Sequence, residues 1–395
     1  MLIDSFFLFY FLLVSIATIL AAYGGVLFFA GLTFRSKPRN SRELPFISLL
    51  IAAKNEEKYI HSVIEELSRQ DYPEDRYEII VSEDGSSDST RDIAKLWAAR
   101  YPRKIKLVSS EASTGKPCAL NRGLAIARGE IIGVIDADSS IDENLLRNVA
   151  RMFEPDVKAI QGEPSVKNKR HGLLTKLTTY EQEVWNRYLI RGRARLGLFV
   201  PCIGNLSFVR RSVLEEVGGW DKNALAEDIE LALSIWLKGH RFEYHPEVNC
   251  REMTVSKLRS FYSQRLRWYG GFLQSFIRHG DLLRRLCPQA IDGEILLATP
   301  LLGVIGLSIL AMGVGSIAAG INVAQVASFA PFTLGAYTIF SSVASLAVIR
   351  IDGEKNAWKL IPAIYAYWGI ESVISSIALL KILTRRRIAW QRTEK

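Results

Sequence analysis

Between residues 56 and 138, acidic side chains recur where short apolar runs stop: Glu56, Asp84, Asp136 and Asp138. Asp136-Ala137-Asp138 directly follows Ile131-Ile132-Gly133-Val134-Ile135. Carboxylates placed there can hold a divalent cation while phosphate oxygens complete its octahedron. Asp84 heads the stretch Gly85-Ser86-Ser87, where it can accept hydrogen bonds from a base or a ribose, and Glu56 can do likewise. Lys116, after Gly115, offers phosphate a point charge, although an exposed loop lysine fits the same residues. Gly115-Lys116 is not a Walker loop, because the leading glycine and the following Ser or Thr are missing. The chemistry these residues suit is that of a nucleotide diphosphate as leaving group, as in a nucleotide sugar. Asp and Gly also end strands simply as turn formers; that reading covers any one site better than it covers the set.

Transfer to an acceptor hydroxyl needs a base as well. Ala226-Glu227-Asp228-Ile229-Glu230 places Glu227 and Asp228 at the start of a helical pattern running through Leu231, Leu233, Ile235 and Trp236. The same acids suit the positive end of a helix dipole. Ser263-Gln264-Arg265-Leu266-Arg267-Trp268 is the sharpest segment. In a helix, Gln264, Arg267 and Trp268 fall at i, i+3 and i+4 and share a face. The forks of Arg265 and Arg267 suit diphosphate, the indole suits the apolar face of a sugar, and the amide suits hydroxyls. The flanks, residues 258–262 and 272–286, read equally as amphipathic helix at a membrane surface, and both readings can hold.

The elements that must position these groups alternate. Residues 46–53 (FISLLIAA), 77–81, 105–108 and 131–135 are apolar, β-branched runs of strand length. Helical patterns follow through Val63, Ile64 and Leu67, through Ile93, Ala94 and Leu96 after a Ser89 or Thr90 cap, and over 119–127. Such alternation predicts a largely parallel sheet covered on both faces. Ligands of such sheets bind beyond the carboxyl ends of the strands, where the acids stand.

The chain ends are too apolar for a wholly soluble protein of 395 residues. No charged residue occurs over 5–34 or over 295–349, and a third apolar stretch, about 360–383, carries only Glu371 and Lys381. The first run lacks the basic start and cleavage site of a signal peptide, so it reads as a retained anchor. Arg35, Lys37, Arg39 and Arg42 follow it, which places the N-terminus outside and residues 45–257 in the cytoplasm. The expected organisation is a span within 1–35, a catalytic domain over 45–257, interfacial helices over 258–290, about three spans over 295–383 and a basic tail over 384–395. One span before the domain and three after it put the C-terminus outside, whereas Arg385, Arg386 and Arg387 favour the inside; the two counts disagree. The net charge of +9 is accounted for by basic residues near membrane lipids, and nothing points to nucleic acid. Cys118, Cys202, Cys250 and Cys287 form no Cys-x-x-Cys pair, which argues against a zinc module and suits a reduced compartment. A non-catalytic scaffold or transporter subunit finds little support in one intramembrane carboxylate, Glu371, which reads as paired with a neighbouring helix.

Taken together, Ala53-Lys54-Asn55-Glu56-Glu57, Glu83-Asp84-Gly85-Ser86, Gly115-Lys116 with Ala119-Leu120-Asn121, Asp136-Ala137-Asp138, Glu227-Asp228 and Gln264-Arg265-Leu266-Arg267-Trp268 resemble the family 2 glycosyltransferases. The resemblance is to their membrane synthases of cellulose, hyaluronan, poly-N-acetylglucosamine and chitin oligosaccharides. It covers about residues 45–268 in the family's order. It implies an α/β GT-A fold, a Rossmann-like mixed sheet flanked by transmembrane helices, with Mg²⁺ or Mn²⁺ and inversion at the anomeric carbon. It assigns Asp228, beside Glu227, as base and Asp138 with Asp136 to the metal. The donor falls to Ala53, Asn55, Glu56, Asp84, Lys116, Asp136 and Asp138, and the acceptor and diphosphate to Gln264, Arg265, Arg267 and Trp268. Gly204-Asn205-Leu206-Ser207 is similar to the family's acceptor-side segment, and Trp390-Gln391-Arg392-Thr393 loosely resembles a gating loop. Ala226 stands where Thr is frequent, and no segment resembles a cyclic-nucleotide-binding domain. The expected reaction is growth of a β-linked glycan from a UDP-sugar, UDP-N-acetylglucosamine first among donors. The alternative is transfer of one sugar to a lipid such as ceramide or a polyprenyl phosphate.

Overall fold

The computed structural model describes residues 2–37, 39–169, 171–318, 320, 357–386 and 388. The second half of the apolar run over 295–349 and the segment Trp390-Gln391-Arg392-Thr393 lie outside the described residues. The strands are β1 (Ile47–Ala53), β2 (Tyr77–Asp84), β3 (Ile105–Ser110), β4 (Ile131–Val134), β5 (Ser140–Ile141), β6 (Ala159–Val166), β7 (Ser207–Arg210) and β8 (Phe242–Glu252). The helices begin with α1 (Leu2–Leu32), α2 (Ile60–Ser68), α3 (Thr90–Arg100), α4 (Lys116–Ile126), α5 (Leu145–Met152), α6 (Leu173–Val184) and α7 (Arg191–Leu196). They continue with α8 (Arg211–Val217), α9 (Glu227–Leu237), α10 (Leu258–Arg278), α11 (Pro288–Leu297), α12 (Thr299–Ala318) and α13 (Ile361–Leu383). The chain divides into two compact units, one built on the sheet and one helical.

The sheet unit takes in Arg35–Thr175 and Phe199–Ser256. Its eight strands lie in the order β3-β2-β1-β4-β7-β6-β8-β5. The first four are parallel, in a register that pairs Ile47 with both Tyr77 and Ile131 and Ala53 with Glu83. Parallel strands are buried on both faces and therefore read as continuous apolar runs, which is why these four were visible in the sequence. Alternate residues of β1 (Ile47, Leu49, Ile51, Ala53) join the core beneath α2, whose Ile60, Val63, Ile64 and Leu67 recur at helical spacing. Helix α4 covers the opposite face through Ala119 and Leu120. Each fully buried aliphatic side chain of this kind contributes about 1.5–3 kcal/mol.

The sheet departs from a largely parallel one at β7, which runs antiparallel to both its neighbours, β4 and β6. Ser207 pairs with Val134, so β7 starts where β4 ends. The residues leading into β7 must then lie at the carboxyl end of β4. That reversal brings a distant piece of sequence to the site.

The helical unit gathers Met1–Phe34, Lys176–Leu198 and Lys257–Ala389. Residues 176–198 thus belong to it and not to the sheet unit, unlike the boundary read from the sequence. The backbones of α1 and the 185–196 segment touch: an added Cβ at Gly31 would sit 2.1 Å from the Tyr188 carbonyl oxygen, and one at Gly192 would sit 2.0 Å from that of Leu27. Among the described residues, three helical stretches are long and apolar enough to cross a membrane: Ser5–Leu32, Thr299–Ser316 and Ile361–Leu383.

Candidate active site

The carboxyl ends of β1 and β2 are stitched together first. Asn55, in the left-handed region at φ 56°, donates its N–H to Ser86 Oγ at 3.0 Å, and its side-chain oxygen accepts from Ser87 N at 2.7 Å. Glu56 N donates to Thr90 Oγ1 at 2.6 Å. Ala53 is in the core, 1% exposed. Of the expected donor residues here, Ala53 and Asn55 therefore shape the turn through packing and local hydrogen bonds.

Asp84 is buried and its carboxylate gathers the loop that follows β3. Oδ1 accepts from Thr114 Oγ1 (2.8 Å), Thr114 N (3.0 Å) and Arg122 Nη2 (2.8 Å), while Oδ2 accepts from Ser113 Oγ (2.8 Å) and Gly115 N (2.9 Å). Burial alone would raise its pKa, but the Arg122 guanidinium and the loop donors outweigh it and bring the carboxyl from 3.8 to about 2. Gly85 makes the close approach possible, at φ +68° with an added Cβ only 2.8 Å from Ser113 N. In this structure Asp84 holds the loop that sets the start of α4, which is the residue Lys116.

Lys116 Nζ lies 2.7 Å from Asp136 Oδ1 and 3.9 Å from Glu227 Oε1, and donates to the Gly204 carbonyl at 3.4 Å. Burial works against its charge, yet the carboxylates of Asp136, Glu227 and Asp228 overcome that and raise its pKa. Asp138, 8% exposed, accepts from Met253 N at 3.1 Å. Asp136 N donates to the Asn205 side-chain oxygen at 3.1 Å, and the Asn205 amide reaches Ser139 Oγ at 3.0 Å and Glu252 Oε2 at 2.7 Å. Gly204 stands at φ +81°, and a Cβ there would sit 2.9 Å from Asp228 Oδ2. Leu206 also holds a positive φ, 52°, an uncommon conformation for a branched side chain. The neighbouring Cys202 thiol is pushed up to about 12 by burial and by the charge of Asp228. Asp228 and Glu227 open α9, where the helix dipole favours carboxylates.

The sheet unit thus brings together Lys116, Asp136, Glu227 and Asp228, with Asp138 and Asn205 alongside. Asp136 and Asp138 offer carboxylate oxygens, the ligand type that hard divalent cations take. Among the described residues, no group of three or more His, Cys, Asp and Glu could hold a metal ion by itself. Arg122, Glu252 and the Met253 amide were not singled out from the sequence. Their contacts join positions 38 to 115 residues apart, and no local pattern announces them.

The Gln264–Trp268 segment lies in α10, in the helical unit. Gln264 and Arg265 are buried and Arg267 and Trp268 half-buried. Arg265 donates through Nε to Glu371 at 2.9 Å and pairs with Glu181. Its guanidinium also stacks over the Trp268 ring, 4.4 Å from the centroid. Of the four acceptor-side candidates, Arg265 is therefore engaged within its own unit, and Glu371 has the helix partner expected of it.

Comparison with known proteins follows these motifs. Over 278 residues the chain is 31% identical to a beta-monoglucosyldiacylglycerol synthase of Trichormus variabilis, covering 69% of this chain and 58% of that protein. A poly-beta-1,6-N-acetyl-D-glucosamine synthase of Staphylococcus epidermidis is 25% identical and matches nearly end to end, over 98% of this chain and 96% of the relative. The chain spans only about half to three fifths of the length of the first curated relatives it matches. The solved mannosyltransferase PcManGT of Pyrobaculum calidifontis, in complex with GDP-Man and Mn²⁺, superimposes over 95% of this chain and 100% of its own with a TM-score of 0.66 at 23% identity. That likeness establishes the GT-A type of the mixed sheet. The model of the glycosyltransferase-like family 2 matches residues 45–271, from just before β1 into α10, and the chain belongs to that family.

Proposed function

We propose that this chain transfers a sugar, with inversion, from a nucleoside diphosphate to a growing glycan at a membrane. The observation that carries the reading is the convergence of Lys116, Asp136, Glu227 and Asp228 at the carboxyl end of the sheet. Asp228 takes the proton of the acceptor hydroxyl as its oxygen bonds to the anomeric carbon, and the bond to the diphosphate breaks. Asp136 and Asp138 would hold Mg²⁺ or Mn²⁺, which when bound neutralises the leaving diphosphate. Lys116 adds a fixed positive charge near the same carboxylates, and Asp84, Glu56 and Asn55 shape the donor side. Gln264, Arg267 and Trp268 serve the acceptor side. The catalytic unit is cytoplasmic in a multi-pass plasma-membrane protein, in contact with membrane lipids.

A UDP-hexose, UDP-N-acetylglucosamine first, is the proposed donor. The near end-to-end match with a poly-N-acetylglucosamine synthase supports polymerisation. The greater identity with a synthase of a glucosylated diacylglycerol supports a second reading, transfer of one sugar to a lipid. Purified full chain with Mn²⁺ and labelled UDP-sugars is expected to release UDP, and a ladder of products separates the two readings. Asp228→Asn should bind UDP as wild type does while transfer falls by about 10²–10⁴. Failure of both proteins to exceed buffer for every donor would remove the enzymatic reading, and poor UDP binding by the variant would remove Asp228 as base.

A further inference from the structure

Arg265 is the largest fully buried side chain of the described residues, at 1% exposure, and it lies in the helical unit. A guanidinium cannot shed its charge in a protein, so burial at this depth requires compensation. It comes from two helices other than its own. Glu181 of α6 pairs with Nη2, and Glu371 of α13 accepts from Nε at 2.9 Å. Tyr367, one turn before Glu371, donates to Glu181 at 2.5 Å and accepts from Arg265 Nη2 at 3.0 Å. The other side of the same guanidinium faces residues of its own helix. Nη1 donates to the Gln264 side-chain oxygen at 3.1 Å, and the planar group lies 4.4 Å from the centroid of Trp268 and 4.9 Å from that of Phe261. A delocalised planar cation over an indole is attracted by the ring quadrupole and fixes its tilt. The group that α6 and α13 hold in place is thus the group that orients Gln264 and Trp268.

We infer that Arg265 is a positioning residue for the acceptor: it transmits the placement of α13 and α6 to Gln264 and Trp268, and it does not bind the diphosphate. The inference rests on the proposed glycosyl transfer. It also explains the acidic residue in an otherwise apolar span, since Glu371 holds the far end of this arrangement. One guanidinium faces two carboxyl groups from different helices. Losing one carboxylate is tolerated better than losing the arginine, which strands two.

The test uses the full chain in lipid nanodiscs and reads UDP affinity separately from acceptor kinetics. Arg265→Lys keeps the charge but not the planar fork. It is expected to leave UDP affinity within twofold of wild type while kcat/KM for the acceptor falls at least tenfold. Glu371→Gln, which leaves Glu181 in place, should lose less than Arg265→Lys. Because Arg265→Met alone leaves two carboxyl groups without their cation, it is combined with Glu181→Gln and Glu371→Gln. This triple variant removes the stranded charge, folds, and still loses acceptor kinetics with UDP affinity kept. Folded Arg265 variants with wild-type acceptor kinetics would overturn the inference and leave the proposed function standing. A tenfold loss of UDP affinity in Arg265→Lys would overturn it in favour of a diphosphate ligand. A wild type inert on every donor overturns the functional reading and this one together.

Discussion

Replacing Asp84 by Asn tests whether its carboxylate is the knot that fixes the loop before α4. The substitution keeps the shape and removes the charge that Arg122 and the donors of Ser113, Thr114 and Gly115 share. The folded structure holds the carboxyl at about 2 against 3.8 for the free group. A difference of that size corresponds to about 2–3 kcal/mol of stability near neutral pH. Asp84 is only 3% exposed, so solvent screening takes little from it. Because the folded pKa is the lower one, the stabilisation is complete above 3.8 and fades as pH falls toward about 2. By pH 3 about half of it should remain. Urea unfolding of the full chain in detergent, followed by intrinsic fluorescence at pH 7, 4.5 and 3, measures the gap between wild type and Asp84→Asn. The gap should be similar at the two higher pH values and clearly smaller at pH 3. No gap at pH 7, or one as large at pH 3 as at pH 7, would refute the argument. Lys116 depends on the same loop, so the variant should also lose turnover at pH 7.

Asp138→Ala should abolish metal-dependent transfer, and EDTA should do the same to wild type, reversibly on adding Mn²⁺; transfer that survives chelation would exclude a role for the Asp136–Asp138 pair in holding a cation. Gly204→Ala places a Cβ 2.9 Å from Asp228 Oδ2 at a backbone φ of +81°. It should cost about 1–2 kcal/mol in stability and, by displacing Asp228, about 10² in kcat; unchanged kcat would mean Asp228 is not the reacting group. Trp268→Ala should raise the acceptor KM and leave UDP affinity alone, and unchanged acceptor kinetics would reduce the segment to an interfacial helix.

Much of the acidic set at the carboxyl end of the sheet could be read in one dimension because its causes are local. Strands β1 to β4 are parallel and buried on both faces, so they appear as apolar runs, and the residue after such a run sits at the carboxyl end of the sheet. Glu56, Asp84, Asp136 and Asp138 follow from that geometry alone. The pairing of Gln264, Arg267 and Trp268 on one face follows from the helical repeat. What those residues touch does not follow, because a contact is a property of two distant segments. The antiparallel direction of β7 carries Gly204 and Asn205 to Asp136 and Asp228, and no periodicity encodes strand order. Asp84 has the residue type of a nucleotide ligand, and only the fold shows that the donors of residues 113–115 and Arg122 gather around its carboxylate. Arg265 had the type of a phosphate ligand, and only the packing of α6, α10 and α13 decided that its charge is met by Glu181 and Glu371. Residue type and spacing determine which side chains can carry charge beside a sheet or on a helix. Burial, and the pairing that burial compels, decided which of those charges meet one another inside the protein.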